Sequence, residues 1–332
     1  MSISHINNMI KGGLTIISRM RPAPKGYAIL LYHRLHETGS CPPSSLSVDT
    51  VSFSEQMEYL RELGSVIPLS EIVKKVKKGQ EPDRLYSAVT FDDGYADVAR
   101  LGLAIFRRHS IPATIFISTA FIDNNLLIPW WDELQHMAMT MREITFENLK
   151  LDLVSDPGRR RFISYMSNKI KYSGLSPEEL FAGLRTQAYS RPAGNSFADW
   201  RELRSLANSG YVEVGGHTQT HPVLSKGGLD EIGAGKRRLE DELGRRIRFF
   251  SYPFGERKDI SAEAVESVKR AGFEAAVTSF SGFNRTGDNL LLLRRIKFSG
   301  NGGDEFAVNL RTGDIKRQIN RTYGFFQGLL GA

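Results

Sequence analysis

A single cysteine, Cys41, in 332 residues excludes an internal disulfide framework and any site built from several thiolates. A bound metal would therefore have to use nitrogen and oxygen ligands. No apolar run is long enough to span a membrane, and the opening "MSISHINNMIKGGLTIISRMRPAPKG" lacks a signal-peptide core followed by a small-residue cleavage site. Both absences favour a cytoplasmic protein. Residues 9–20 have the pattern of a short amphipathic helix with Lys11 and Arg19, suited to packing on the domain or to peripheral contact with the inner face of a membrane. There is no dinucleotide-binding glycine signature, no internal repeat and no low-complexity segment. Neither sign of charge dominates. The 44 basic and 37 acidic residues leave +7, spread along the chain with small knots such as "KKVKK" (74–78) and "GRRR" (158–161). No recognised nucleic-acid motif accompanies them, so no nucleic-acid partner is expected.

What is present is a 41% hydrophobic composition, enough for a large core, and a regular alternation of short strand-like runs with helical patterns. The runs are "YAILLY" (27–32), "YSAVTF" (86–91), "ATIFIS" (113–118), "YVEVGG" (211–216), "IRFFSY" (247–252), "EAAVTS" (274–279) and "LLLRRIKF" (291–298). Seven strands separated by helices predict a closed or nearly closed (β/α) barrel. Ser52 and Glu55 form an expected capping box for a helix stopping at Gly64, and helices over 229–243 and 262–271 are expected to stop at Gly244 and Gly272. The alternation breaks over about 123–200. There "IPWWDELQHMAMTMREI", "RRRFISYMSNKIKYSG" and "SPEELFAGLRTQA" read as helices, the last opened by Ser176, Pro177 and Glu179, giving a helical insert in one connection. The expected organisation is an N-terminal extension over 1–25, a barrel over 26–300 carrying the insert, and a basic, aromatic C-terminal tail over 301–332. Docking on the barrel or a membrane-surface contact would each suit that tail.

Barrel enzymes place working groups at the C-terminal ends of their strands, and polar residues fall there repeatedly. His33 follows the first run, Asp92 and Asp93 the second, His217 and His221 the fourth, and Tyr252, Pro253 and Phe254 the fifth. In "HTQTH" the pair sits on a strand end and in a turn, and one further carboxylate completes a two-histidine, one-aspartate site suited to Zn²⁺, with Fe²⁺, Co²⁺ or Mn²⁺ compatible on geometry. Adjacent ionised carboxylates in "TFDDGY" repel, and a divalent ion would remove that repulsion.

Taken together and in this order, "TFDDGY", "HTQTH" and "SYPFG" resemble the polysaccharide deacetylases of the NodB-homology type, carbohydrate esterase family four. "LLYHRL" and the segment leading into "HTQTH" look like members found with polysaccharide biosynthesis genes. The resemblance implies a distorted (β/α)₇ barrel that removes acetyl groups from N-acetylated amino sugars in polysaccharides, oligosaccharides or glycolipid intermediates. It implies Asp93, His217 and His221 as ligands of a divalent metal, Zn²⁺ foremost with Co²⁺, Mn²⁺, Fe²⁺ or Ni²⁺ as alternatives. It also implies Asp92 as general base toward a water activated by the metal, and the Phe254 backbone N–H as oxyanion donor. Tyr95, Tyr252 and Trp131 are the expected sugar contacts.

Two departures stand out. The family's third motif carries an arginine where this chain has Ser251, and its last strand carries a histidine that "LLLRRIKF" lacks. Arg295 on the last strand is the candidate to bind Asp92 instead, and His33 the candidate proton donor, because closure makes the first and last strands neighbours. Surface exposure or an unrelated ion pair for Arg295, and a structural hydrogen bond for His33, are the competing readings. Arg34 fits an anion contact or a solvated charge, and Asp132 is placed to approach the site from the insert. Of Trp130, Trp131 and Trp200, at least two are expected in packing rather than at the sugar. A glycan-binding pseudo-deacetylase, or removal of another acyl group from a carrier-linked sugar, are the alternative functions. Oligomeric state is not legible.

Overall fold

The computed structural model describes residues 24–40, 46–124, 126–147, 149–185 and 196–298, with Phe306 and Leu310. The expected helix over 9–20 and nearly all of the C-terminal tail lie outside the described residues. In chain order the strands are β1 (Gly26–Tyr32), β2 (Arg34–His36), β3 (Ser47–Asp49), β4 (Gly64–Val66), β5 (Leu85–Phe91), β6 (Ala113–Ile117), β7 (Glu143–Phe146), β8 (Leu149–Asp152), β9 (Val212–Gly216), β10 (Phe249–Ser251), β11 (Ala275–Ser281) and β12 (Leu293–Lys297). The parallel order β1-β12-β11-β10-β9-β6-β5 closes because β5 also pairs with β1, giving a seven-stranded (β/α)₇ barrel. β4 adds to β5 outside the ring, pairing Gly64 with Leu85.

Alternation along each strand decides what reaches the inside. Tyr27 and Ile29 of β1, Ala88 of β5, Phe116 of β6, Phe249 of β10, Val277 of β11 and Leu293 of β12 form one apolar cluster filling the barrel. Their neighbours Ala28, Leu30, Val89, Ile115, Phe250 and Ala276 face the surrounding helices in a second, larger cluster. Leu69, Ile72, Val73 and Val76, on one face of the Leu69–Lys77 helix, join the inner cluster and close the lower end. Gly215 is inward by the same parity, and a Cβ there would lie 2.4 Å from the Phe116 ring. The barrel interior is therefore a packed core, not a pore.

Continuing the inward parity one step past each filled layer gives Leu31 and His33, Thr90 and Asp92, His217, Ser251, Ser279, Arg295 and Lys297. The strand ends are level: Tyr32 pairs with Phe91, Ile117 with Gly216, and the Asp92 and His217 N–H groups donate to the Tyr32 and Ile117 carbonyls. One end of the barrel is thus polar because one parity class turns polar at one height.

The long connection after β6 contains the helices Thr119–Asp123, Trp130–Thr140, Asp156–Tyr172 and Pro177–Arg185. Leu134, Met137, Phe162, Met166, Phe181 and Leu184 give it a core of its own. It is not wholly helical. The helix expected to run to Ile144 stops at Thr140, and β7 and β8 form an antiparallel hairpin pairing Ile144 with Leu151. Period-two apolar positions at Ile144, Phe146 and Leu151 outweigh the helical pattern there. The Ser176–Glu179 capping box forms as expected. The Ser52–Glu55 box does not, because Asp49 caps the helix earlier, accepting from Val51 and Ser52 N–H. Among the described residues no helix is long and apolar enough to cross a membrane.

Candidate active site

Asp92 and Arg295, 203 residues apart in sequence, meet inside the barrel mouth. Arg295 donates from Nη1 to Asp92 Oδ1 at 2.8 Å and from Nη2 to Oδ2 at 2.7 Å, while its Nε donates to the Thr278 carbonyl. Ser251 Oγ donates to Asp92 Oδ2 at 3.1 Å and accepts from Arg295 Nη2 at 3.0 Å. Both charges are buried, Arg295 at 1% exposure and Asp92 at 4%. Burial alone would raise the Asp92 pKa, but the guanidinium, then His217, holds it far below the usual carboxylate range. Arg295 is thus the partner the altered third motif lacked. A short serine at position 251 leaves room for a guanidinium arriving from β12.

Beside this pair, Asp93, His217 and His221 each offer a ligand atom within 4.8 Å of one another. Asp93 Oδ1 lies 3.4 Å from His217 Nε2 and 3.6 Å from His221 Nε2, and it is buried with no hydrogen-bond partner. His217 Nδ1 is 2.6 Å from the Ser251 carbonyl and so carries the proton donated there, which leaves Nε2 as the nitrogen turned toward Asp93. Burial, reinforced by His217, pushes His221 down to about 3. An unpartnered carboxylate oxygen facing imidazole nitrogens is a donor set that a divalent cation fits.

Backbone strain marks the same place. Of six non-glycine residues with positive φ among those described, Asp93, Thr218, His221 and Phe254 lie here. Such conformations persist only where surroundings enforce them. Glu231, from the Asp230–Leu243 helix, supplies part of that enforcement by accepting from the Gln219 and Thr220 N–H groups and the Thr220 hydroxyl. The "YPFG" turn is held by Ser279, whose hydroxyl donates to the Phe254 carbonyl and whose N–H donates to the Gly255 carbonyl. Gly255 has φ +70°, and a Cβ there would lie 2.7 Å from Ser279 N. Among the described residues no hydrogen bond engages the Phe254 N–H.

Asp92, Asp93, His217, His221, Phe254 and Ser279 line a cavity of about 250 Å³ whose far wall is the insert. Trp130 and Trp131 both contribute to it: Trp130 stacks on Phe254 at 5.7 Å, and Trp131 lies 4.5 Å from the His221 ring. All three tryptophans pack, in line with the expectation for at least two: Trp130 against the core of the insert, and Trp131 and Trp200 against the main core, with Trp200 away from the cavity and donating to Asp123 under Arg238. His33 lines the cavity, with Nδ1 buried and unpartnered, and burial pushes it down to about 4.

Two expected sugar contacts are displaced. Tyr252 is fully buried and donates to the Leu291 carbonyl, because Ser251 takes the inward parity of β10 and Tyr252 the outward one. Tyr95 is 1% exposed, stacked on Phe197 beneath the Arg34 guanidinium, and stands behind the cavity wall. Arg34 is neither free nor at the mouth, since its Nε donates to Asp97 at 2.8 Å. The sequence reading missed Glu231 and two lysines that line the cavity. Lys297 shares the parity of Arg295, a signal present in the strand pattern. Lys171 comes from the insert and is fixed by Asp259 at 2.9 Å, a contact that no local pattern announces.

The family model for polysaccharide deacetylase matches residues 79–172 and 178–276. Both Arg295 and His33 lie outside that span. No curated protein matches the chain. Among solved structures, IcaB from Ammonifex degensii is similar at 18% identity and a TM-score of 0.58, with 87% of this chain and 98% of that one covered. The Streptococcus pyogenes deacetylase PplD, in complex with acetate, is similar at 15% identity and 0.56, covering 87% and 99%. A de-N-acetylase from Aggregatibacter actinomycetemcomitans gives 15% and 0.54, covering 86% and 99%.

Proposed function

Because this chain belongs to the polysaccharide deacetylase family, whose members are carbohydrate N-deacetylases, we propose that it hydrolyses the N-acetyl group of an amino sugar in a polysaccharide, oligosaccharide or glycolipid intermediate. The observation that carries the reading is the ionised Asp92, locked by Arg295 and Ser251 beside the Asp93, His217 and His221 donor set.

Asp93, His217 and His221 would hold a divalent cation, Zn²⁺ foremost by donor type. The chemistry such an ion supplies is polarisation of the amide carbonyl and a water that ionises near neutral pH. The remaining steps belong to the chain. Asp92, kept charged and oriented through both oxygens, takes the proton of the attacking water. The Phe254 N–H, free of hydrogen bonds among the described residues, would stabilise the negative charge that develops on the carbonyl oxygen. His33, across the barrel seam, delivers a proton to the departing amine. Burial leaves it neutral at pH 7, so that proton has to arrive during the cycle, and the nearby Asp93 and Asp92 charges favour its uptake. Trp130 and Trp131 present aromatic faces suited to a sugar ring.

A binding-only role drew its motive from Ser251 and the missing last-strand histidine, and the Arg295 geometry removes the first of these grounds. Acetate release from metal-loaded protein on N-acetylated oligosaccharides tests the proposal, with N-formyl analogues testing the acyl group. Asp92→Asn is expected to lose turnover with metal content intact, and His217→Ala to lose the metal. Full turnover by Asp92→Asn would remove Asp92 from the role of base.

A further inference from the structure

Asp132 belongs to the insert, not to the barrel, and stands in the first turn of the Trp130–Thr140 helix. Its Oδ1 accepts from the Tyr95 hydroxyl at 2.9 Å, and that hydroxyl accepts from Trp131 Nε1 at 2.9 Å. Tyr95 is itself fixed, buried between Phe197 and Arg34. The carboxyl group is therefore held rigidly from behind. Its second oxygen, Oδ2, is buried with no hydrogen-bond partner. The nearest cation, Arg34 Nη1, stays 3.9 Å from it, too far for a hydrogen bond, while Arg34 Nε is committed to Asp97.

Buried carboxylate oxygens are rarely left without donors, because the desolvation they suffer is then uncompensated. Here the residue lines the same cavity as Asp92, Asp93, His217 and His221. An occupant of that cavity can supply the missing donor. An amide carbonyl brings no donor, but sugar ring hydroxyls do, and an ionised carboxylate is a strong acceptor for them.

We propose that Asp132 is a specificity-determining residue, its Oδ2 accepting a hydrogen bond from one ring hydroxyl of the amino sugar and so fixing the acylamino group over Asp93, His217 and His221. This rests on the deacetylase reading. The substrate class is accordingly an N-acylated amino sugar with that hydroxyl free. A sugar deoxygenated or O-substituted there is a poor substrate even with its N-acetyl group intact.

The experiment measures kcat/KM for acetate release, and binding through tryptophan fluorescence, for wild type, Asp132→Ala and the isosteric Asp132→Asn. The ligands are an N-acetylated oligosaccharide and its monodeoxy analogues. Asp132→Ala is expected to lose about 10- to 100-fold in kcat/KM and in affinity, the scale of a hydrogen bond to a charged group. One deoxy analogue should cost the wild type a similar factor and cost the variants nothing further, while the other analogues leave the variant defect whole. Should Asp132→Ala not fold, the same comparison with Asp132→Asn decides.

An equal penalty on every analogue, or a loss of metal content in Asp132→Asn, overturns the proposal. A wild type that binds these sugars without releasing acetate refutes the deacetylase reading alone, since the binding comparison still decides Asp132. A wild type that binds none of them overturns Asp132 as well.

Discussion

Replacing Arg295 by glutamine tests the site at its least replaceable contact. The substitution removes two charge-assisted hydrogen bonds, at 2.7 and 2.8 Å, from a carboxylate that is 4% exposed, and leaves only Ser251 Oγ as donor. At about 1.5–3 kcal/mol for each hydrogen bond to a charged group, the pair accounts for about 3–6 kcal/mol. Breaking a buried ion pair on one side typically costs about 3–5 kcal/mol, so the two routes agree. The sign with pH follows from linkage. In the native protein the Asp92 pKa is depressed, so its stabilisation is present above the unfolded carboxylate value and is lost as pH falls through the folded one. Without Arg295, burial prevails and the pKa rises, so the variant's deficit should grow as pH increases from about 4 toward 7. Urea unfolding of both proteins at pH 5 and pH 7.5 measures this, alongside the acid limb of the pH–rate profile, which should move upward, and metal content, which should stay. Adding Ser251→Arg, which brings a guanidinium back on β10, should recover part of both losses. A variant within about 1 kcal/mol of wild type at pH 7.5, with an unmoved acid limb, would refute the role given to Arg295.

Asp259→Ala should cost about 3–5 kcal/mol in urea unfolding and expose the 130–185 segment to limited proteolysis. It strips the buried Lys171 ammonium and the Tyr172 hydroxyl of their acceptor, and unchanged cleavage would show that the insert is held otherwise. In the metal-free protein burial raises Asp132 to about 6, with Arg34 opposing, so the native state binds the extra proton between about 4 and 6. Stability should therefore fall by up to about 3 kcal/mol as pH rises through that window, and Asp132→Asn should flatten this slope in denaturant titrations. Gly215→Ala should destabilise by about 1–3 kcal/mol, because the new methyl meets Phe116 inside a filled barrel. A neutral effect in thermal melts would mean that the ring can move aside.

The aspartate pair, the histidine pair and the "YPFG" turn were legible in the sequence because each sits where a strand ends, and in a parallel barrel all those ends share one face. Arg295 was legible only as a candidate, since its meeting with Asp92 depends on closure of the ring across 203 residues. Parity could have gone further. Phe249 fills the barrel, so Ser251 had to point inward and Tyr252 outward, and a reading that followed "SYPFG" as a motif placed the tyrosine on the wrong face. The hairpin of β7 and β8 was hidden because Met and Leu residues before it favour a helix, and only the short alternation after Thr140 argues otherwise. Contacts of the insert with the barrel, such as Lys171 with Asp259, depend on tertiary packing that no window of sequence encodes.

The seam at β1 has a consequence for how the protein comes into being. β1 is zipped between β5 and β12, and Asp92 receives its counter-charge from the last strand of the ring. During synthesis the aspartates and then the histidines emerge well before Arg295 does, so a nascent chain carries a carboxylate with nothing to neutralise it. Chain entropy opposes so distant a pairing only logarithmically, yet contacts of this separation slow folding. The Asp92–Arg295 pair is therefore completed late in the life of each molecule, when the ring closes. A ribosome-stalled chain ending before β12 would carry the family's recognisable motifs and still lack the counter-charge of Asp92.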